Sequence, residues 1–248
     1  MTNAARTKVA RGEGPEQLIL ELPLRAAHGA DDFLVSGANA AAVELVDTWP
    51  DWPEPCALLA GPPGSGKSHL GRVWQNRSQA QLVTASQLSD ATVALFQHAG
   101  ANALMIEDID RGLSEERVLF HLLNQARESG RHLLLTSRTA PGDLDIALPD
   151  LRSRLRALAV MTIAEPDDAL LGGVLVKLFA DRQLGVDPAV IGYLVRHMDR
   201  SFDAARTVVA TIDAISLAKR RKVTRPVAAE ALAMLGGAPG GQAEDGGT

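Results

Sequence analysis

Aromatic side chains are scarce in this chain, at 4% of 248 residues. That scarcity argues against recognition of nucleic-acid single strands by ring stacking. Cysteine is scarcer still. A single Cys56 excludes an internal disulfide, and its place in an apolar run marks it as a buried structural thiol. No stretch approaches the length of a membrane span. The first residues carry basic side chains with no apolar segment after them, so no secretory signal is expected. There is no excess of positive charge either. The formal net charge is −5, which excludes a nucleic-acid electrostatic footprint over the chain as a whole. A cytoplasmic protein with no membrane partner is expected.

What is present is an ordinary globular composition, 46% hydrophobic and 22% charged, long enough for one large or two small domains. The organising stretch is Gly61-Pro62-Pro63-Gly64-Ser65-Gly66-Lys67-Ser68, preceded by the apolar run Cys56–Ala60 and followed by a helical segment from His69. Its pattern, G-x-x-x-x-G-K-[ST] between strand and helix, is that of a phosphate-binding loop. Glycines let successive backbone N–H groups turn toward an anion, and the following helix adds its positive end. Lys67 would reach the β- and γ-phosphates and Ser68 would ligate Mg²⁺. ATP or ADP with Mg²⁺ is the expected ligand set.

Such a loop needs an acid at the end of a neighbouring strand. Ala103-Leu104-Met105-Ile106 ends in Glu107-Asp108 and fits that slot. With Glu107 at the metal and the shorter Asp108 left to orient water, slow hydrolysis with retained binding is expected. Whether the chain is an enzyme in its own right stays open. His132 to Ser137 reads as the next buried strand, and Thr136-Ser137 at its end could contact phosphate or water, or cap the loop. Three arginines, Arg152, Arg154 and Arg156, follow a Pro-Asp turn. In assemblies of such ATPases an arginine can reach a neighbour's γ-phosphate. Spacing alone does not choose among the three. Arg200 opens a long helix and could report nucleotide state. The cluster Lys219-Arg220-Arg221-Lys222 reads as a solvated helix end rather than a nucleic-acid contact.

Strands alternating with helices predict an α/β fold with a parallel sheet. Further expectations are a helix over 40–49 capped by Asn39 or Ser36, a strand over 80–86, a helix over 86–99, a helix from Glu115 to about Glu128 capped by Ser114, a helical turn over 149–155 and a strand over 160–163. Beyond Pro166 the strand signal ends. Helices are expected over 167–182, 188–197, 202–219 and 226–235, giving a small all-α domain. Residues 1–16 and 236–248 read as disordered tails. In Gln17-Leu18-Ile19-Leu20-Glu21-Leu22-Pro23-Leu24 the leucines alternate, as in an edge strand or an extended peptide that docks in a partner's pocket.

With these pieces in place the chain resembles the AAA+ family, and within it the DnaA-related proteins of the Hda type. Phe33-Leu34-Val35-Ser36-Gly37-Ala38-Asn39 resembles the segment that packs on adenine, and Gly64 to Leu70 the phosphate-binding loop, including His69. Phe120-His121-Leu122-Leu123-Asn124 resembles the helix after the acidic strand end, Leu135-Thr136-Ser137 sensor 1, and Arg152-Ser153-Arg154-Leu155 the arginine-finger box. The resemblance implies that Arg154 is the finger, offered in trans, and that Arg200 is sensor 2. It divides the chain into a tail (1–16), a clamp-binding peptide (17–24), a nucleotide-binding AAA+ domain (25–164), an α-helical lid (165–235) and a second tail. Gln17, Leu18, Leu20 and Leu22 would bind the replicative sliding clamp, the β subunit of DNA polymerase III. Glu21 stands where a proline is usual, and Arg138 replaces an aspartate common near sensor 1.

The implied function is negative regulation of replication initiation. With the clamp, the protein would stimulate hydrolysis of DnaA-bound ATP, touching DNA only through the clamp. The alternatives are a helicase-loader-like ATPase on single-stranded DNA and a nucleotide-gated adaptor without effect on a partner's hydrolysis. An interfacial arginine also allows self-association.

Overall fold

The computed structural model describes residues 34–98 and 102–236. The peptide at Gln17–Leu24, Phe33 and both tails from residue 1 and from 237 lie outside them.

Five short strands carry the architecture: β1 (Cys56–Ala60), β2 (Gln81–Thr84), β3 (Ala103–Glu107), β4 (His132–Ser137) and β5 (Ala159–Thr162). All adjacent pairs are parallel, in the order β2-β3-β4-β1-β5. Parallel strands need crossovers, and covered faces follow from them. That is why the three central strands β1, β3 and β4 are buried apolar runs rather than alternating ones.

The period of two divides each strand between two cores. Cys56, Leu58, Leu104, Ile106, Leu133 and Leu135 face one cluster, where α3 (Asp90–Gln97), α4 (Glu116–Ser129) and α5 (Pro149–Arg156) pack. Ala57, Leu59, Ala103, Met105 and Leu134 face the other, with α1 (Ala40–Thr48) and α2 (Lys67–Ser78). On α4, Val118, Leu119, Leu122, Leu123 and Ala126 form the buried stripe, at helical spacing.

After Ile163 the chain turns wholly helical. α6 (Asp168–Asp181), α7 (Pro188–His197), α8 (Phe202–Lys219) and α9 (Arg225–Met234) enclose a third cluster. Asp167, Asp187 and Ser201 cap α6, α7 and α8 through their side chains. No helix among the described residues is long and apolar enough to cross a membrane.

Several expected elements shift. Ser114 does not cap α4: its hydroxyl donates to the carbonyls of Ala85 and Leu88, tying the loop to the 3₁₀ turn Ala85–Gln87, and Glu115 takes the cap position. The helix expected over 86–99 starts only at Asp90, because Ser89 and Thr92 form a reciprocal capping box there. The strand expected over 80–86 is Gln81–Thr84, limited by its edge pairing to β3. Asn39 caps α1 by position only. Its amide group instead accepts from Ser36 N–H and donates to the Leu34 carbonyl, folding the segment before the helix.

Candidate functional site

The loop after β1 sits where the strand order reverses, at the carboxyl ends of the strands, the place where open α/β sheets bind ligands. Because β4 lies between β1 and β3, the end of β4 stands between the loop and Glu107. Gly61 N–H donates to the Ser137 carbonyl at 3.1 Å, and Asp108 N–H donates to Thr136 Oγ1 at 3.0 Å. Thr136 therefore holds the acidic turn, a use of its hydroxyl that differs from the ligand contact considered from sequence. Asp108 itself adopts a left-handed backbone, φ 59°. Arg138 N–H donates to Asp110 Oδ1 across the same gap.

Glu107 continues the strand face of Met105, which lies against Gly71 of α2. Its carboxylate is thus on the same side of the sheet as Ser68, at the start of α2. Glu107 Oε1 is buried and has no hydrogen-bond partner, and neither does the buried hydroxyl of Ser65. Orphaned polar atoms of this kind call for a ligand or an ion. Gly64 and Gly66 have left-handed φ of 69° and 100°, so an L side chain at either would be strained. Lys67 is buried, and its ammonium donates to the Gly61 and Pro62 carbonyls at 2.6 and 2.8 Å. Burial pushes its pKa down, as does the nearby Arg138, while Asp108, Asp110 and Asp203 oppose them. These residues fit a nucleotide's phosphates. No cluster of three or more His, Cys, Asp or Glu able to hold a metal occurs among the described residues. An Mg²⁺ here would depend on Ser68, Glu107 and the phosphates themselves.

The lid closes directly on this loop. Phe202 N–H donates to the Gly64 carbonyl at 2.9 Å. A Cβ on Gly64 would lie 2.5 Å from Ser201 Cβ, and one on Gly66 would lie 3.0 Å from the Phe202 ring. The two glycines are where the lid meets the loop. Beside this contact is a cleft of about 160 Å³. Leu34 and the exposed His69 line it from the base; Val174, Lys177, Leu178 and Asp181 of α6 and Phe202 and Arg206 of α8 line it from the lid. Apolar walls with a few charged groups suit a planar base and its sugar.

The structure brings Gly64, Ser65, Gly66, Lys67, Ser68, Glu107 and Asp108 to one place, with Leu34 and His69 at the adjoining cleft. It does not bring all the expected residues there. Val35 packs into the core around Trp49 and Trp74. Arg200 pairs with Asp168 of α6 at 2.5 Å. The lid charges beside the loop are Asp203, whose field reaches Lys67, and Arg206, paired with Asp203 at 2.8 Å. Ser201, Phe202, Lys177, Asp181 and Arg206 were not singled out from sequence. A serine cap directly after Arg200 was the one available signal that a helix starts at this point.

Arg154 stands elsewhere. β5 begins beside Ala57, so the end of α5 lies at the amino edge of the sheet, a strand's length from the loop. The positive charge of Arg154 is felt by Cys56 at the first residue of β1. Its guanidinium lies 5.4 Å from the Phe120 ring centroid. Arg152 is engaged by the Ile146 carbonyl, at 2.5 and 3.2 Å. Glu116, one turn before Phe120, accepts from the N–H groups of Ala147 and Leu148 at 2.8 and 2.6 Å and so fixes the start of α5.

Comparison with known proteins agrees with the fold. Residues 173–232 match the family model described as "Hda, lid domain". The chain is 29% identical over 231 residues to the chromosomal replication initiator protein DnaA of a Caulobacter species, covering 83% of this chain and 47% of that protein. It spans about half the length of the curated DnaA relatives it matches. Domain III of DnaA from Thermotoga maritima superposes with a TM-score of 0.68 at 18% identity, covering 86% of this chain and 98% of the other. AMPPCP-bound DnaA from Aquifex aeolicus superposes with a TM-score of 0.62 at 21% identity, over 73% and 63% of the two chains. With its parallel sheet and helical lid, this chain is similar to the DnaA-related AAA+ proteins, and over residues 173–232 to the Hda lid-domain family.

Proposed function

We propose that this protein is a nucleotide-held negative regulator of replication initiation, which offers Arg154 to the ATP site of DnaA. The observation that carries the reading is the separation of Arg154 from its own phosphate-binding loop. An arginine at the opposite edge of the sheet serves no chemistry at Lys67, but it can serve a neighbour packed against that edge. The cation–π contact with Phe120 and the anchoring of α5 by Glu116 pre-set its position.

ADP or ATP, with Mg²⁺ at Ser68 and Glu107, would bind Gly64 to His69 and fill the cleft beside Leu34. Bound there, the nucleotide bridges base and lid. Asp108 is held by Thr136 in a turn too short in side-chain reach to serve a water well, so intrinsic hydrolysis is slow. Gln17, Leu18, Leu20 and Leu22 would tether the chain to the sliding clamp, and the clamp would bring it to DNA. Arg200, paired with Asp168, would act on nucleotide state through α6.

The test is hydrolysis of radiolabelled ATP on DnaA, with and without clamp-loaded DNA. Stimulation by the wild type that is lost with Arg154→Ala, at unchanged ADP affinity, supports the proposal. A wild type that gives no stimulation refutes it. Leu20→Ala with Leu22→Ala should abolish clamp binding and spare ADP binding.

A further inference from the structure

We infer that the outer tip of the lid, the turn from α8 into α9, binds the sugar–phosphate backbone of duplex DNA. Between residues 219 and 225 the chain carries Lys219, Arg220, Arg221, Lys222 and Arg225 with no acidic residue, against a net charge of −5 overall. All five are exposed. Lys219 pairs with Glu230 at 2.5 Å. Among the described residues the other four have no acidic partner.

Helix-dipole complementarity accounts for only part of this cluster. Cations at the end of α8 are favoured there. Lys222 and Arg225, however, flank the start of α9, where the dipole is positive and cations are disfavoured. The first turn of α9 contains no acid, and Thr224 makes no side-chain capping bond. An arrangement that is unfavourable by itself becomes favourable when an anion lies across it.

The chemistry selects a polyanion. An exposed ion pair in water is weak, so a few acids on a protein surface would hold these cations loosely. A duplex adds the release of condensed counterions to every contact. The nearby ring is not available for base stacking: Tyr193 is buried, with His197 stacked on it at 4.2 Å and Arg225 over it at 4.7 Å. Contact is therefore with backbone, independent of sequence. α8 spans 18 residues, about 27 Å at the helical rise, and its other end touches Gly64. The tip is thus remote from the nucleotide cleft.

The experiment uses the full chain alone, with a short fluorescein-labelled duplex of arbitrary sequence, read by anisotropy. With three phosphate contacts, affinity should fall roughly 40-fold between about 50 and about 200 mM salt. Replacing Arg220, Arg221 and Lys222 together (Arg220→Glu, Arg221→Glu, Lys222→Glu) should abolish binding at unchanged circular dichroism. Arg221→Ala alone should reduce the salt slope by about one contact, and decides the matter if the triple variant does not fold. The inference is overturned if the wild type does not bind at low salt, if the triple variant binds equally, or if poly-aspartate competes as well as unlabelled duplex. The last result would assign the tip to an acidic protein partner.

Discussion

The backbone N–H of Phe202, the first residue of the lid's longest helix, donates to the carbonyl of Gly64 in the phosphate-binding loop at 2.9 Å. The same loop that would cradle phosphate is therefore the hinge plate on which the lid rests. Gly64→Ala tests this. An L residue at its left-handed φ costs roughly 1–2 kcal/mol, and the new Cβ meets Ser201 Cβ at 2.5 Å. The variant should lose about 2 kcal/mol of stability, a fall in melting temperature of roughly 4–8 °C. Thermal unfolding followed by circular dichroism checks the value. An unchanged melt would mean that the lid does not rest on the loop.

Arg152 and Arg154 lie on one short helix but should respond in opposite ways. Arg152 holds the Ile146 carbonyl, so Arg152→Ala should cost about 1 kcal/mol of stability. Arg154 makes a single cation–π contact, so Arg154→Ala should be nearly neutral for folding while removing any stimulation of DnaA. Urea titration of both variants beside the hydrolysis assay separates the two roles.

Cys56 is inert by position. Burial pushes its thiol up to about 12, opposed by Arg127 and Arg154 and aided by Glu54. Alkylation by iodoacetamide at neutral pH should therefore proceed only through unfolding. The folded pKa exceeds the unfolded one, so the contribution to stability is whole below pH 9 and is lost between about 9 and about 12, at about 1.4 kcal/mol per unit. Cys56→Ala should flatten that alkaline decline.

His132 gives the acid-side counterpart. Burial lowers its pKa, and the bond from Nε2 to the Pro50 carbonyl opposes that shift. A base with a depressed folded pKa takes up its proton more readily when unfolded. Stability is then complete above about pH 6.5 and declines as the pH falls below it. The ring lies within 5.7 Å of Trp49 and 5.5 Å of Trp52, so tryptophan fluorescence reports on it. His132→Phe should remove the acid-side slope of unfolding measured with that signal.

Much of this was legible in the chain itself. Alternation of buried runs and helical stretches specifies a parallel α/β fold, because both faces of such a sheet must be apolar and each crossover needs a helix. The motif from Gly61 to Ser68 states its chemistry locally, since the residue types act through backbone geometry that glycine alone permits. The limits of the helices over 188–197 and 202–219 were readable, whereas the cap expected at Ser114 was misplaced because that side chain looks away from its own helix.

The tertiary structure decided what faces what. Spacing left three arginines equivalent; packing gave Ile146 to Arg152 and Phe120 to Arg154. Sequence marked Arg200 for the nucleotide, whereas the fold pairs it with Asp168 and sets Ser201, Phe202 and Asp203 at the loop. Local patterns fix which residues can do chemistry, because propensity and periodicity act over a few residues. Which of them meet is a long-range property, set by strand order and by how the lid docks, and no stretch of the chain encodes it alone.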